Sequence, residues 1–169
     1  MKIIKLTQGK FALVDSCDFE YLNQWKWHYN RYAYHSFNKN GKWSEVGMHR
    51  MIINPSDKEC VDHINHDKLD NRRSNLRIAT NSQNQHNSML SKINKTGFKG
   101  IIWHKRDKRW QVQIRLDGKR TYLGCPTKLQ DAIKLYDNCA KKHFGEYAFT
   151  NKDISETIEA ERRNELCQS

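Results

Sequence analysis

Two prolines and eight glycines are few for a chain of 169 residues, and five tryptophans and seven tyrosines accompany them. That balance marks an ordered protein, because disordered chains are poor in aromatics. Internal repeats and low-complexity tracts are absent. The five cysteines, Cys17, Cys60, Cys125, Cys139 and Cys167, are odd in number and form no C-x-x-C pair. This leaves no zinc knuckle or redox motif and suggests reduced thiols. No apolar run approaches the ~20 residues that span a bilayer, and no basic helix has a clean apolar face, so membrane association is not expected. The opening MKIIKLTQGKFALVD has too short an apolar core for a signal peptide, so a cytoplasmic location is expected. Acidic residues are also scarce: Asp+Glu number 19 against 30 Lys+Arg, for a formal charge of +11. Such an excess favours a polyanionic partner, nucleic acid first.

The length suits one domain or two small ones, and two modest modules of an α+β protein are expected. Residues 1 to 54 read as short strands. KFALVD alternates, and YAYHSF and KWSEVGM flank NKNG, an Asn-Gly hairpin turn. A short helix at CDFEYLNQW interrupts them, capped by Asp15 or Ser16. Trp25, Trp27, Tyr29 and Tyr32 read as core and hairpin packing rather than base-stacking platforms. Further on, NLRIAT is a short strand, and Thr80 with Gln83 forms a capping-box pair that opens a helix through about residue 87.

Within VDHINHDKLDNRRSNL, Val61 to Leu76, oxygen and nitrogen donors are dense. A hard divalent cation such as Mg²⁺ takes one or two protein oxygens and fills its remaining positions with phosphate and water. Asp62 and the side-chain carbonyl of Asn84 are candidates for those oxygens. Phosphodiester hydrolysis also needs a base, and an imidazole suits the task, which nominates His63. Adjacent residues on a strand point to opposite faces, so Asp62 and His63 can share one site only if the chain is irregular there. Structural zinc is not expected, because Cys60 is the only cysteine near Asp62, His63, His66 and Asp67. His66 reads as a loop residue near the phosphate, and His49 as either a packed histidine or a DNA contact. Beside such a site, Arg72 and Arg73 are candidates to grip the DNA backbone.

These residues resemble a known family. Asp62-His63, then Asn75 within NLR, then Asn84 are similar to the HNH homing endonucleases of the ββα-metal fold, in the variant whose last histidine is an asparagine. The surrounding sequence from 46 to 87 resembles phage-borne members. The resemblance implies that Asp62 and Asn84 ligate Mg²⁺ or Mn²⁺, that His63 activates water, and that Asn75 holds the loop that orients His63.

Charge concentrates further along. Ten Lys or Arg and two Asp fall between Ser91 and Arg120, a net +8. Three strand-like runs, FKGIIWHK, RWQVQIRL and KRTYLG, predict a three-stranded antiparallel sheet, with the amphipathic helix TKLQDAIKLYDNCAKKHFG packed on one face. Lys99, Trp103, Arg109, Gln111, Gln113, Arg115 and Tyr122 are expected on the other face, suited to a major groove, while Val112 and Ile114 meet the helix. Residues 97 to 151 resemble the APETALA-type domain of ethylene-response factors. That likeness implies DNA contacts from Lys99, Trp103, Arg115 and Tyr122. Ile102 and Cys125-Pro126 depart from its usual pattern.

The expected organisation is an HNH nuclease domain with a β-rich N-terminal support over 1–90, a linker over 91–96, an APETALA-type DNA-binding domain over 97–151 and a charged tail over 152–169. The implied function is a site-specific homing endonuclease on double-stranded DNA. It would nick one strand, leave 5′ phosphate and 3′ hydroxyl, and act as a monomer without an obligate protein partner. The rivals are a DNA-binding regulator with a silent nuclease module, and a binder or nuclease of structured RNA.

Overall fold

Alternation at the N-terminus yields two antiparallel strands, β1 (Lys2–Lys5) and β2 (Phe11–Val14), with Lys2 opposite Val14. The computed structural model describes residues 1–91 and 93–156 and divides the chain into two compact units, Met1–Gln85 and His86–Ser169.

In the first unit, Ile4, Ala12 and Val14 turn inward from the hairpin onto α1 (Ser16–Asn23), whose Leu22 is fully buried. Asp15 occupies the cap position of α1 but makes no cap bond. Its carboxylate instead accepts the backbone N–H of Arg73 at 2.8 Å, so a long-range partner has displaced the local one. The sheet β3 (His28–Asn30), β4 (Tyr32–Lys39), β5 (Lys42–Gly47) follows, antiparallel throughout. Its tight turn is Asn40-Gly41, both with positive φ, as an Asn-Gly hairpin demands.

Residues read as part of a strand-rich support then form a helix, α2 (Met48–Ile53). Six residues are too few to display a helical period. What identifies the helix is burial of Met48 and Ile52 one turn apart, and a left-handed Asn54 that ends it before Pro55. Strand β6 (Cys60–His63) pairs antiparallel with β7 (Leu76–Ala79), and α3 (Asn81–His86) follows directly. The expected capping box closes in both directions: Thr80 N–H reaches Gln83 Oε1 at 2.8 Å, and Gln83 N–H reaches Thr80 Oγ1 at 3.2 Å.

The second unit is a three-stranded antiparallel sheet, ordered β10-β9-β8, with α4 on one face. Its elements are β8 (Ile101–His104), β9 (Arg109–Leu116), β10 (Lys119–Gly124) and α4 (Leu129–Phe144), the helix ending at Gly145. Ile101, Val112 and Ile114 meet Ala132, Tyr136 and Ala140 in the core. Much of the stretch read as a linker is fastened into this unit. Asn94 Oδ1 accepts the N–H groups of Thr96 and Gly97, and Thr96 Oγ1 donates to Ile101 O at 2.9 Å. Side-chain oxygens at short spacing satisfy the backbone there, which composition alone reads as looseness.

After α4, the Asp137 carboxylate accepts the N–H groups of Asn151 and Lys152, while Asn151 Oδ1 accepts Lys99 N–H at 2.6 Å. The charged tail is described only as far as 156, so the remainder of that expectation, with Cys167, lies outside the described residues. Cys17, Cys60, Cys125 and Cys139 are free thiols. Among the described residues no helix is long and apolar enough to cross a membrane.

Gly100 is the tightest point of the second unit. Its φ is +65°, and a Cβ there would collide with the carbonyl oxygen of Gln113 and the ring of Tyr136. Gly100→Ala is therefore expected to destabilise this unit by about 3 kcal/mol, as read by denaturant unfolding.

Candidate active site

The loop between β6 and β7 is built almost entirely from polar side chains that bond to one another. Asn75 closes it. Its backbone carbonyl accepts Ile64 N–H at 2.9 Å, its Oδ1 accepts Asn65 N–H at 2.9 Å, and its Nδ2 donates to Asp70 O at 2.8 Å. Asp70, 2 % exposed, takes Nε and Nη2 of Arg72 at 2.7 and 2.6 Å and Nδ2 of Asn65 at 2.9 Å. Those hydrogen bonds, Arg72 first, hold its carboxyl below the usual range. Strand β2 supports the loop from beneath: Leu13 N–H donates to Leu69 O and Leu13 O accepts Asn71 N–H, both at 2.8 Å. Arg73 adds a tie to α1, its guanidinium meeting both carboxylate oxygens of Asp18 at 2.8 and 2.7 Å.

His63 is the last residue of β6 and 5 % exposed. Its ring sits 5.4 Å from that of His49 and 5.7 Å from that of Tyr32, while Tyr32 and His49 are 5.1 Å apart. Burial lowers the His63 pKa, opposed by the Asn71 side chain and by the carboxylates of Asp62, Asp67 and Asp70. The imidazole is thus biased toward its neutral, proton-accepting form. His49 lies deeper in this cluster in chemical terms. Burial first and His63 second lower its pKa to about 4. Its ring is seated over Gly47, where any Cβ would come within 2.6 Å of Cε1.

Strand β6 is regular up to His63, so Asp62 and His63 leave it on opposite faces. Asp62, also 5 % exposed, faces its cross-strand partner Arg77, whose Nε and Nη2 meet Oδ2 at 2.9 and 2.8 Å. Asn84 is exposed on α3. Three residues before it, Asn81 Oδ1 accepts the Cys60 thiol at 2.8 Å. Asn84, three residues on, lies near Asn81 on the surface of α3. A carboxylate and an amide oxygen are the kinds of donor that suit a hard cation keeping water and phosphate as its other ligands. Closed zinc binding needs more, and among the described residues no three His, Cys, Asp or Glu gather around a metal position.

The remaining sequence-predicted residues divide. Arg72 and Arg73 are ion-paired with Asp70 and Asp18 and tie the loop to its surroundings. His66 stands at φ +65° in the turn after His63, its N–H donating to His63 O at 3.1 Å. In the second unit, Lys99 does not join the outer sheet face. Its ammonium turns inward onto the carbonyls of His86 and Phe149, at 3.2 and 3.1 Å, and burial lowers its pKa to about 8. Trp103 is corrected too. It pairs with Trp110, ring centroids 4.7 Å apart, on the same face as Val112 and Ile114, because β8 and β9 register Trp103 opposite Trp110. The outer face instead carries Ile102, Arg109, Gln113, Arg115, Arg120 and Tyr122. Arg115 lies directly opposite Arg120, a like-charge pair that costs stability unless an anion covers it.

Sequence reasoning did not single out Arg77 for the site, and it assigned Tyr32 to packing. Arg77 was within reach of a register count, since antiparallel pairing of Asp62-His63 with NLR brings it opposite Asp62. Tyr32 comes from a different sheet, and no local pattern announces it. Because the folded state disfavours the proton that an unfolded His49 accepts, stability is full above pH 6.5 and falls as the pH drops toward about 4. Between pH 7 and pH 5 this one group is expected to cost about 2 kcal/mol. Urea unfolding at the two pH values should show a drop smaller by about that amount in His49→Gln.

Residues 54–86 match the HNH endonuclease family. An uncharacterized HNH endonuclease of Acanthamoeba polyphaga mimivirus is 33 % identical over 153 residues, covering 86 % of this chain and 76 % of that protein. Protein 3.8 of Escherichia phage T7 is 33 % identical over 88 residues, 52 % of this chain and 72 % of the phage protein. With a buried Asp-His pair on the first strand of the hairpin, an asparagine clamping the loop and a helix directly after, this chain belongs to the HNH endonuclease family and is a nuclease.

Proposed function

We propose that this nuclease is a site-specific DNA endonuclease of the homing type that hydrolyses one phosphodiester of duplex DNA, leaving 5′ phosphate and 3′ hydroxyl. The observation that carries the reading is His63. It is a buried imidazole biased toward neutrality, at the end of a strand and in a loop pinned by Asn75. Because Asp62 and His63 leave a regular strand on opposite faces, on this reading the scissile phosphate has to sit at the end of β6, where the chain turns after His63. There His63 takes a proton from water, and the resulting hydroxide attacks phosphorus in line with the departing 3′ oxygen. Asn75 keeps the imidazole from swinging out of that line. Asp62 and Asn84 would hold a hard divalent cation, Mg²⁺ or Mn²⁺, which when bound would supply charge neutralisation at the leaving oxygen. The strands β6 and β7 with α3 then act as a ββα-metal motif. One such centre per chain supports a nick rather than a double-strand break.

The second unit supports the site-specific part. Its outer sheet face carries Arg109, Arg115, Arg120 and Tyr122, and the repulsion between Arg115 and Arg120 is relieved by a phosphate backbone. A sheet backed by α4 agrees with an APETALA-type DNA-binding domain. A rival reading, a DNA-binding regulator with a silent nuclease module, draws on one observation, the Arg77 guanidinium held against Asp62.

Incubation with genomic DNA and Mg²⁺, followed by mapping of the ends, tests the proposal. Discrete nicks with 5′ phosphate are expected. Tight binding with no nicked product in Mg²⁺ or Mn²⁺ would favour the regulator. His63→Ala is expected to bind the mapped duplex as the wild type does and to cut at least about 100-fold more slowly. Chelation of divalent ions by EDTA should abolish cutting and leave sheet-mediated binding in place.

A further inference from the structure

The cations around the His63 loop are not equivalent. Arg72 is held by Asp70, Arg73 by Asp18 and Arg77 by Asp62, all with nitrogen-oxygen distances between 2.6 and 2.9 Å. Each of these guanidiniums has its charge compensated by a carboxylate that holds its Nε and Nη2, so turning that edge to a phosphate would leave a buried carboxylate unpaired. Lys68 differs. It is exposed, it belongs to the same loop as His63, and among the described residues it has no carboxylate in ion-pair contact.

Its position is also fixed rather than loose. Asp67 N–H donates to Asn65 Oδ1 and Leu69 N–H donates to Asp67 Oδ1, both at 2.9 Å, so the residues on either side of Lys68 are pinned. The Lys68 ammonium lies 4.7 Å from the centroid of Tyr32, and the Tyr32 ring is the one packed against His63 at 5.7 Å. One aromatic ring therefore joins the catalytic imidazole to an uncompensated positive charge. A cation held over a ring face keeps its outward hydrogens for another partner, and an ammonium is a compact point charge that tolerates variation in where a phosphate oxygen arrives.

We propose that Lys68 is the phosphate-binding residue of this site, its ammonium contacting a non-bridging oxygen of the DNA strand lying at His63, while Arg72, Arg73 and Arg77 remain structural. The identity of that phosphate as the one to be cut rests on the nuclease reading; the contact itself does not. The assignment differs from the sequence expectation, in which the adjacent arginine pair took this role.

The test uses the full chain and a fluorescein-labelled duplex of random sequence without divalent metal, with binding followed by anisotropy across a KCl series. Loss of one phosphate contact lowers the slope of log K against log[KCl] by about 0.9. Lys68→Ala is expected to show that loss, and Lys68→Arg to restore the slope. A Lys68→Ala slope equal to that of the wild type would overturn the proposal, whatever happens to the affinity at a single salt concentration. The residue is exposed and its one described side-chain contact is with the face of Tyr32, so near-equal unfolding midpoints for the three proteins should accompany the measurement. Nicking of supercoiled plasmid in Mg²⁺ is scored in parallel. Failure of the wild type to nick would sink the nuclease reading while the slope still decided the role of Lys68.

Discussion

The candidate site depends on what Asn75 does with one side chain and one carbonyl. Three hydrogen bonds from this residue close a loop of polar side chains whose backbone would otherwise compete for water. An amide is suited to the task because it donates and accepts at once without carrying charge into a place already crowded with carboxylates. Release of those bonds would free the turn that follows His63, and with it the direction of the imidazole. The support from β2 and from the Arg73 tie to Asp18 works on the same loop from the other side, so the N-terminal strands act as a brace for a chemical centre.

Charge compensation gives this centre its character. Several carboxylates and guanidiniums stand close together, and nearly every one has an opposite partner at hydrogen-bond distance. Pairing of this kind contributes little net stability, since desolvation offsets the attraction, but removing one partner is costly. It therefore fixes geometry. Against that background a neutral, buried histidine cluster is unusual. Burial lowers the pKa of both His49 and His63 and so favours their neutral forms, and His63 lowers that of His49 further.

The second unit follows a different logic. Its core is an ordinary sheet-on-helix arrangement, but the outer face leaves arginines opposite one another. The like charges of Arg115 and Arg120 repel one another across the strands, a cost written into the strand register. Lys99 and Trp103 show how register sorts residues of similar type. Both sit in a basic, aromatic stretch, yet one ammonium is turned onto carbonyls and one indole onto another indole.

Much was legible without coordinates, for reasons that are local. The Asn-Gly turn, the capping box of Thr80 and Gln83, the period of α4 and the alternation in β9 are short-range patterns, decided by neighbours within a few positions. The spacing of Asp62, His63, Asn75 and Asn84 could be read for the same reason, since it records the length of a hairpin and its loop. Helix α2 was not legible, being shorter than the period that would reveal it. Nor were the partners of the charged side chains. Asp15 looked like a helix cap and serves Arg73, and Arg72 and Arg73 looked like free hands for DNA and are bound to Asp70 and Asp18. The sequence by itself determined which chemical groups were present and at what intervals along the chain. Only the tertiary structure decided which of them neutralise one another and which, like Lys68, remain uncompensated, because a charge takes whichever opposite partner folding brings within about 3 Å, however distant in sequence.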